Sequence, residues 1–183
     1  MLYILRHGKT DWNAAHKLQG KTDIPLNEEG REMAYAAAKE CADIHFDVCY
    51  SSPLIRAKET AQIVLAGRDI PIITDVRLEE MGFGTYEGIE NSFDIPDCPI
   101  NVLFFHPEEY KVPVEGAESI EELLNRTGEF LDEVIYPELK NGKDILIVGH
   151  GAMNCSLISH VKGYDISHMW DGMTENCKLV RLL

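Results

Sequence analysis

The 183-residue chain is 45% apolar and 26% charged, ordinary for a globular protein and long enough for one domain with a sizeable core. Its 31 acidic and 17 basic residues give a formal net charge of -14, which disfavours nonspecific binding to nucleic acid or anionic membrane. Any anion site must therefore be a local basic pocket in an acidic molecule. The 5 cysteines are odd in number and form no CxxC pair, so they read as buried thiols of a reducing compartment rather than a disulfide framework or a zinc ribbon. The apolar start Leu2–Leu5 is too short for a signal peptide or a spanning helix, and no other stretch reaches spanning length, so the expected location is the cytoplasm.

Leu2–Leu5 is apolar on both faces and predicts a short strand of a buried parallel sheet. Asn27, Glu28 and Glu29 supply a capping side chain and first-turn acids for a helix, with Met33, Ala34, Ala37, Ala38 and Cys41 as its core stripe. A second strand spans 47–51. Ser52 and Pro53 predict the N-cap and first turn of a helix that runs to about Ala66. A third strand is predicted over 71–74. Residues 82–118, interrupted by Gly82, Gly84, Gly88, Pro96, Pro99, Pro107, Pro113 and Gly116, read as a lid-like excursion with one short helix near 101–105. Ser119 to Glu122 fits a capping box, and Ile120, Leu123, Leu124, Thr127, Phe130, Leu131, Val134 and Ile135 follow at helical spacing. A fourth strand over 145–148, a helix over 152–161 and a closing strand over 178–182 complete the chain. Strand and helix alternate, which predicts an α/β fold with a mostly parallel sheet in a single domain, 1–183.

One echo points to a site. Leu2–Leu5 leads into Arg6-His7-Gly8, and Ile145–Val148 leads into Gly149-His150-Gly151. Open α/β sheets bind ligands at the carboxyl ends of their strands. If these strands are neighbours, roughly 4.8 Å apart, both imidazoles face one crevice. Arg56 falls in the first turn of a helix, where a cation opposes the helix dipole at a cost of roughly 0.3–1 kcal/mol. A phosphate received by that helix start and a guanidinium fork would offset it. Arg6, His7, Arg56 and His150 thus suit phosphoryl transfer: arginines neutralise the equatorial oxygens, a neutral imidazole attacks phosphorus, and a carboxylic acid protonates the leaving oxygen.

The segments LRHGKTDWN, QGKTDIPLNEEG, YSSPLIRAKETA, RLEEMGFGTYEG and ILIVGHG occur in an order and at spacings that resemble the histidine phosphatase superfamily, phosphoglycerate mutase-like branch. The likeness covers almost the whole chain and is weakest over about 89–113. It implies a three-layer α/β/α sandwich and a metal-independent phosphomonoester hydrolase without a cofactor. It also implies that His7 is the nucleophile, that Arg6, Arg56 and His150 form the phosphate pocket, and that Asn13 and Gln19 are polar positions around it. Glu80 matches the usual proton donor; from spacing alone Glu79 is the alternative. The remaining histidines, His16, His45, His106, His160 and His168, are scattered and show no metal-ligand spacing.

Two positions depart from the family pattern. Lys9 stands where an acid or its amide usually follows RHG, and Gly149 replaces a hydroxyl or apolar residue, which implies a looser His150. The family contains hydrolases and mutases. The excursion carries Glu90, Asp94, Asp97, Glu108, Glu109, Glu115 and Glu118 against one lysine, Lys111, over 89–118. An acidic lid is poorly suited to the second anionic group a mutase must hold, so hydrolysis of a small phosphomonoester is the favoured expectation. A mutase and a non-catalytic phosphate-binding module are the alternatives. Phe93, Phe104, Phe105 and Tyr110 are candidates for an apolar inner face of the lid.

Overall fold

Three strands of this chain are buried almost throughout, so each must have neighbours on both edges and helices on both faces. They are β1 (Leu2–Arg6), β2 (Val48–Ser51) and β4 (Ile145–Gly149). In the computed structural model, which describes residues 1–111 and 114–183, they form the centre of a five-stranded sheet of order β3-β2-β4-β1-β5. The partly exposed strands β3 (Ile72–Thr74) and β5 (Leu179–Arg181) take the edges, and only β5 is antiparallel to its neighbour.

Side-chain alternation assigns the two faces. Tyr3, Leu5, Cys49, Leu146 and Val148 pack under α2 (Glu28–Glu40) and α3 (Ile55–Val64), whose small residues Ala34, Ala37, Ala57 and Ala61 let both helices lie close to the sheet. Leu2, Ile4, Tyr50, Ile145 and Ile147 face α5 (Ile120–Phe130) and α7 (Gly151–Lys162). The result is the three-layer α/β/α sandwich. The remaining helices are short: α1 (Asp11–Ala14), α4 (Asn101–Phe105) and α6 (Tyr136–Lys140). All five cysteines are buried and unbridged, as their composition predicts. Among the described residues no helix is long and apolar enough to cross a membrane.

Two predicted helices differ in detail. Ser52 does not cap α3: its N–H stays with the sheet, on the Val148 carbonyl at 3.1 Å, and its Oγ accepts from the Leu54 N–H at 3.2 Å, just short of the helix. The helix begins at Ile55, whose N–H donates instead to Asp23 Oδ1 at 2.7 Å. The stripe over 120–135 is not uniformly α-helical either. Hydrogen bonding widens to a π-type turn over Leu131–Ile135, and the Tyr136 N–H reaches back to the Leu131 carbonyl. Pro137 follows directly. It has no N–H for an α-type bond and its ring crowds the preceding turn, so the wider turn absorbs it.

The excursion at 82–118 is tied down rather than loose. Ile100 and Leu103 are fully buried in the core under α5 and α7, and Tyr110 is 6% exposed. The predicted short helix is α4. Val112 and Pro113, inside the excursion, lie outside the described residues.

The loop after β1 touches α2 backbone to backbone. A Cβ on Gly30 would stand 2.0 Å from the Lys9 carbonyl oxygen, and one on Gly8 would stand 2.4 Å from the Gly30 oxygen. In an ordinary helix Gly→Ala gains about 1 kcal/mol. Here Gly30→Ala is expected to lose roughly 1–3 kcal/mol, because backbone must move. Urea unfolding checks the sign; a more stable variant would refute the close approach.

Candidate active site

The parallel register of β1 and β4 sets Arg6 opposite Gly149. The next residue on each strand is the histidine, and the His7 N–H donates to the Gly149 carbonyl at 2.9 Å. The two imidazole centroids lie 5.1 Å apart, so the echo in the sequence is a pair in space. The C-terminal segment braces the strand end. Asn176 Nδ2 donates to the His7 carbonyl at 2.6 Å, and the Cys177 N–H donates to the Arg6 carbonyl at 2.8 Å.

His7 Nδ1 lies 2.6 Å from the Gly8 carbonyl oxygen, which can only accept. The proton is therefore on Nδ1 and the lone pair on Nε2. The Gly8 N–H in turn donates to Thr60 Oγ1 on α3 at 3.0 Å. Burial, then the charges of Arg56 and Arg6, hold the His7 pKa well below its usual value, against a smaller opposing effect of the Gly8 bond. His150 is fully buried, and burial followed by Arg56, His7, Arg6 and Arg126 depresses it in the same direction. Both rings are neutral near pH 7.

Arg56 is completely enclosed. Its Nη1 and Nη2 donate to the carbonyls of Thr22 at 2.9 Å and Gly20 at 2.7 Å. Burial lowers its pKa, opposed by the carboxylates of Glu80, Asp23 and Glu87. Arg6 Nη1 donates to the Thr174 carbonyl at 3.0 Å. The Nε atoms of both arginines and both ring nitrogens of His150 are buried without a protein partner.

The structure distinguishes the two glutamates. Glu79 turns to Lys21, with Oε2 3.9 Å from Nζ. Glu80 is buried at the start of α7: Oε2 accepts from the N–H groups of Gly151 and Ala152 at 3.0 and 3.2 Å. Its Oε1 accepts from Met153 at 3.0 Å and Met81 at 2.9 Å. Asn13 and Gln19 both turn their side-chain oxygens to Thr10. Asn13 accepts from the Thr10 N–H at 3.1 Å, and Gln19 accepts from Thr10 Oγ1 at 2.8 Å.

Arg6, His7, Asn13, Gln19, Arg56 and Glu80 line one cavity of about 130 Å³; His150 does not line it but lies against His7. Lys17, Leu18, Phe83, Phe104, Trp170 and Met173 complete its wall. Lys9 does not reach this cavity. Its ammonium pairs with Glu29 at 2.5 Å, which answers the first departure. The second is reversed. A Cβ at Gly149 would fall 1.8 Å from Met153 Cε, so the glycine makes room for that side chain and His150 is enclosed, not loosened. Of the four lid aromatics only Phe104 reaches the cavity. Phe93 and Phe105 are 58% and 60% exposed, and Tyr110 packs into the core. Among the described residues, the groups able to hold a metal ion, His45 with Asp47 and Asp144, and His106 with Glu108 and Glu109, lie outside the cavity lining and are largely exposed.

A family profile described as the histidine phosphatase superfamily, branch 1, matches residues 2–183. The chain belongs to this superfamily. Among curated members, it is 35% identical to an uncharacterized phosphatase PhoE of Bacillus subtilis, over 88% of this chain and 77% of the relative. It is 32% identical to a 2,3-bisphosphoglycerate-dependent phosphoglycerate mutase of Cytophaga hutchinsonii, over 92% of this chain and 82% of that one. Among solved structures, YhfR of Bacillus stearothermophilus superposes with a TM-score of 0.87 at 31% identity, over 97% of this chain and 88% of that chain. Superfamily relatives thus include both phosphatases and mutases.

Several supporting residues were not foreseen. Glu87 gathers the N–H groups of Lys21, Thr22 and Phe83, and so holds the loop whose carbonyls grip Arg56. Arg126 uses every guanidinium N–H: on Glu118, and on the carbonyls of Arg77, Glu79 and Glu80, which fixes the loop that carries Glu80. Their only sequence signals are an acid inside TYEG and a cation beside the buried Thr127 of a helical stripe. Neither names a partner.

Buried neutral histidines also have a stability signature. Their folded pKa values lie below the unfolded value near 6.5, so below about pH 6.5 the unfolded chain binds more protons. Stability should fall as pH drops through that range, by up to about 1.4 kcal/mol per pH unit for each histidine. Urea unfolding from pH 7.5 to 5 measures the slope, and His150→Asn should make it shallower. An unchanged slope in that variant would contradict the neutral, buried His150.

Proposed function

We propose that the protein is a phosphatase that hydrolyses a small phosphomonoester through a phosphohistidine on His7, with Glu80 as proton donor. The observation that carries this reading is a neutral His7, with its lone pair on Nε2, in a cavity it shares with Arg6 and Arg56. Both guanidinium side chains line that cavity, and their buried Nε atoms have no protein partner.

In the first step the Nε2 lone pair attacks phosphorus and the bond to the ester oxygen breaks. A proton from the Glu80 carboxyl goes to that oxygen, and the alcohol leaves. In the second step water attacks phosphorus, the N–P bond breaks, its electron pair returns to Nε2, and the water proton goes to the Glu80 carboxylate. Arg6 and Arg56 carry the charge of the transferring group, and His150 packs against the His7 ring from outside the cavity lining. To hold a proton Glu80 must release one of the four N–H groups on its oxygens.

The mutase reading is favoured by the name of the Cytophaga relative. The excursion acids do not decide against it, since Glu90, Asp94, Asp97, Glu108, Glu109 and Glu115 are exposed and Glu118 is paired with Arg126. The cavity wall carries the argument instead. Beyond the phosphate residues its one cation is Lys17, 3.9 Å from Glu90, and the other large side chains there are Leu18, Phe83, Phe104, Trp170 and Met173. That leaves little to hold a second anionic group. A non-catalytic phosphate-binding module would not require a free Nε2 and a glutamate in one cavity. The five buried, unbridged thiols support action in a reducing compartment such as the cytoplasm.

Release of nitrophenol from p-nitrophenyl phosphate should be measurable and should vanish in His7→Ala. Interconversion of 2- and 3-phosphoglycerate without hydrolysis of any ester would overturn the proposal in favour of the mutase. Glu80→Gln should slow alkyl esters at least tenfold more than p-nitrophenyl phosphate, because only poor leaving groups need the proton. Equal losses for both would remove Glu80 from that role.

A further inference from the structure

The wall of the cavity beyond the phosphate residues has a chemistry of its own. Phe104 on α4 and Trp170, in the turn over Ile166–Gly172, stand with ring centroids 5.4 Å apart and planes inclined by 34°. The indole is fixed, because Nε1–H donates to the Leu103 carbonyl at 2.8 Å. Phe104 is held in turn by Phe83, at 5.9 Å, and by the edge-on Phe93, at 5.3 Å. Leu18 and Met173 extend the same apolar surface. The rings are thus already placed by contacts made within the protein, and a ligand would spend little entropy in ordering them.

We propose that this wall is the leaving-group subsite and that it selects phosphomonoesters whose alcohol carries a planar aromatic ring. The proposal rests on the hydrolase reading above. A polyhydroxylated or anionic alcohol would surrender its water to Phe83, Phe104, Trp170 and Met173 and regain few hydrogen bonds. Lys17 is already drawn toward Glu90. A flat ring gains offset stacking on Phe104 or Trp170 as well as burial. Size sets a second limit. At about 130 Å³ the cavity is well below the roughly 300 Å³ that encloses a drug-sized ligand, so it takes the phosphoryl group and one ring, and anything larger protrudes.

The test compares kcat/KM for 2-phenylethyl phosphate, n-hexyl phosphate and glycerol 1-phosphate, with p-nitrophenyl phosphate as a control for turnover. The three alkyl esters have similar leaving oxygens, so their ratios read recognition rather than intrinsic reactivity. The phenylethyl ester should exceed glycerol phosphate by at least tenfold and hexyl phosphate by severalfold, and Phe104→Leu should lower the phenylethyl-to-glycerol ratio about tenfold. Trp170→Leu provides the same reading if Phe104→Leu does not fold. Turnover of all three at equal efficiency, a hexyl ester as good as the phenylethyl ester, or a ratio untouched by either variant would overturn the subsite and leave the hydrolase reading standing. No turnover of any ester, p-nitrophenyl phosphate included, would overturn both.

Discussion

The pairing of β1 with β4 is the constraint on which everything else depends. Because Arg6 faces Gly149 in a parallel register, two residues 143 positions apart in sequence, His7 and His150, emerge at the same level of the sheet. A slip of one residue in either strand would turn that strand's side chains to the opposite face and part the two histidines. The register is protected by what it buries: Leu2, Ile4 and Leu5 against Ile145, Leu146, Ile147 and Val148, all fully enclosed. Fully burying such a side chain is worth roughly 1.5–3 kcal/mol, so a misregistered sheet would forfeit far more than the few kcal/mol that separate folded from unfolded.

The same burial sets the electrostatics. Two arginines and two histidines in one enclosed place repel each other if all are charged. The guanidiniums cannot give up their protons, so the imidazoles do. Carbonyl oxygens of Gly20, Thr22 and Thr174 absorb part of the guanidinium charge, and the Glu80 carboxylate sits nearby on the amide groups of α7. The negative total of the chain is no obstacle, because it is carried on the surface while the positive charges are inside.

How much of this was legible in the sequence varied with distance along the chain. Strands apolar throughout, the capping box at Ser119 and the two His-Gly strand ends are local patterns, and each is where the residues implied. The family motifs added the pocket residues around them. The choice between Glu79 and Glu80 was not readable, because adjacent loop residues differ only in which way the backbone turns; Arg126 determines that turn from a helix about 46 residues away. Ser52 misled because its hydroxyl does accept a backbone N–H, but that of Leu54 in the turn before the helix rather than one of the helix itself. Pro137 marked the π-type turn, but a periodic stripe on either side masked it. The aromatic wall was half visible: Phe104 was a candidate among four, whereas Trp170 lies in a stretch with no periodicity to place it.

The interlock of Gly149 and Met153 ties two positions into a single choice. The methionine fills the space that any side chain at 149 would need. A serine or valine at 149 therefore requires the flexible end of Met153 to give way, and Asn154 Oδ1, 2.8 Å from the added Cβ, to move as well. Neither change can be judged alone. With the smaller residue at 153 placed first, only Asn154 Oδ1 has to shift for the larger residue at 149, whereas the reverse order meets both contacts at the foot of His150.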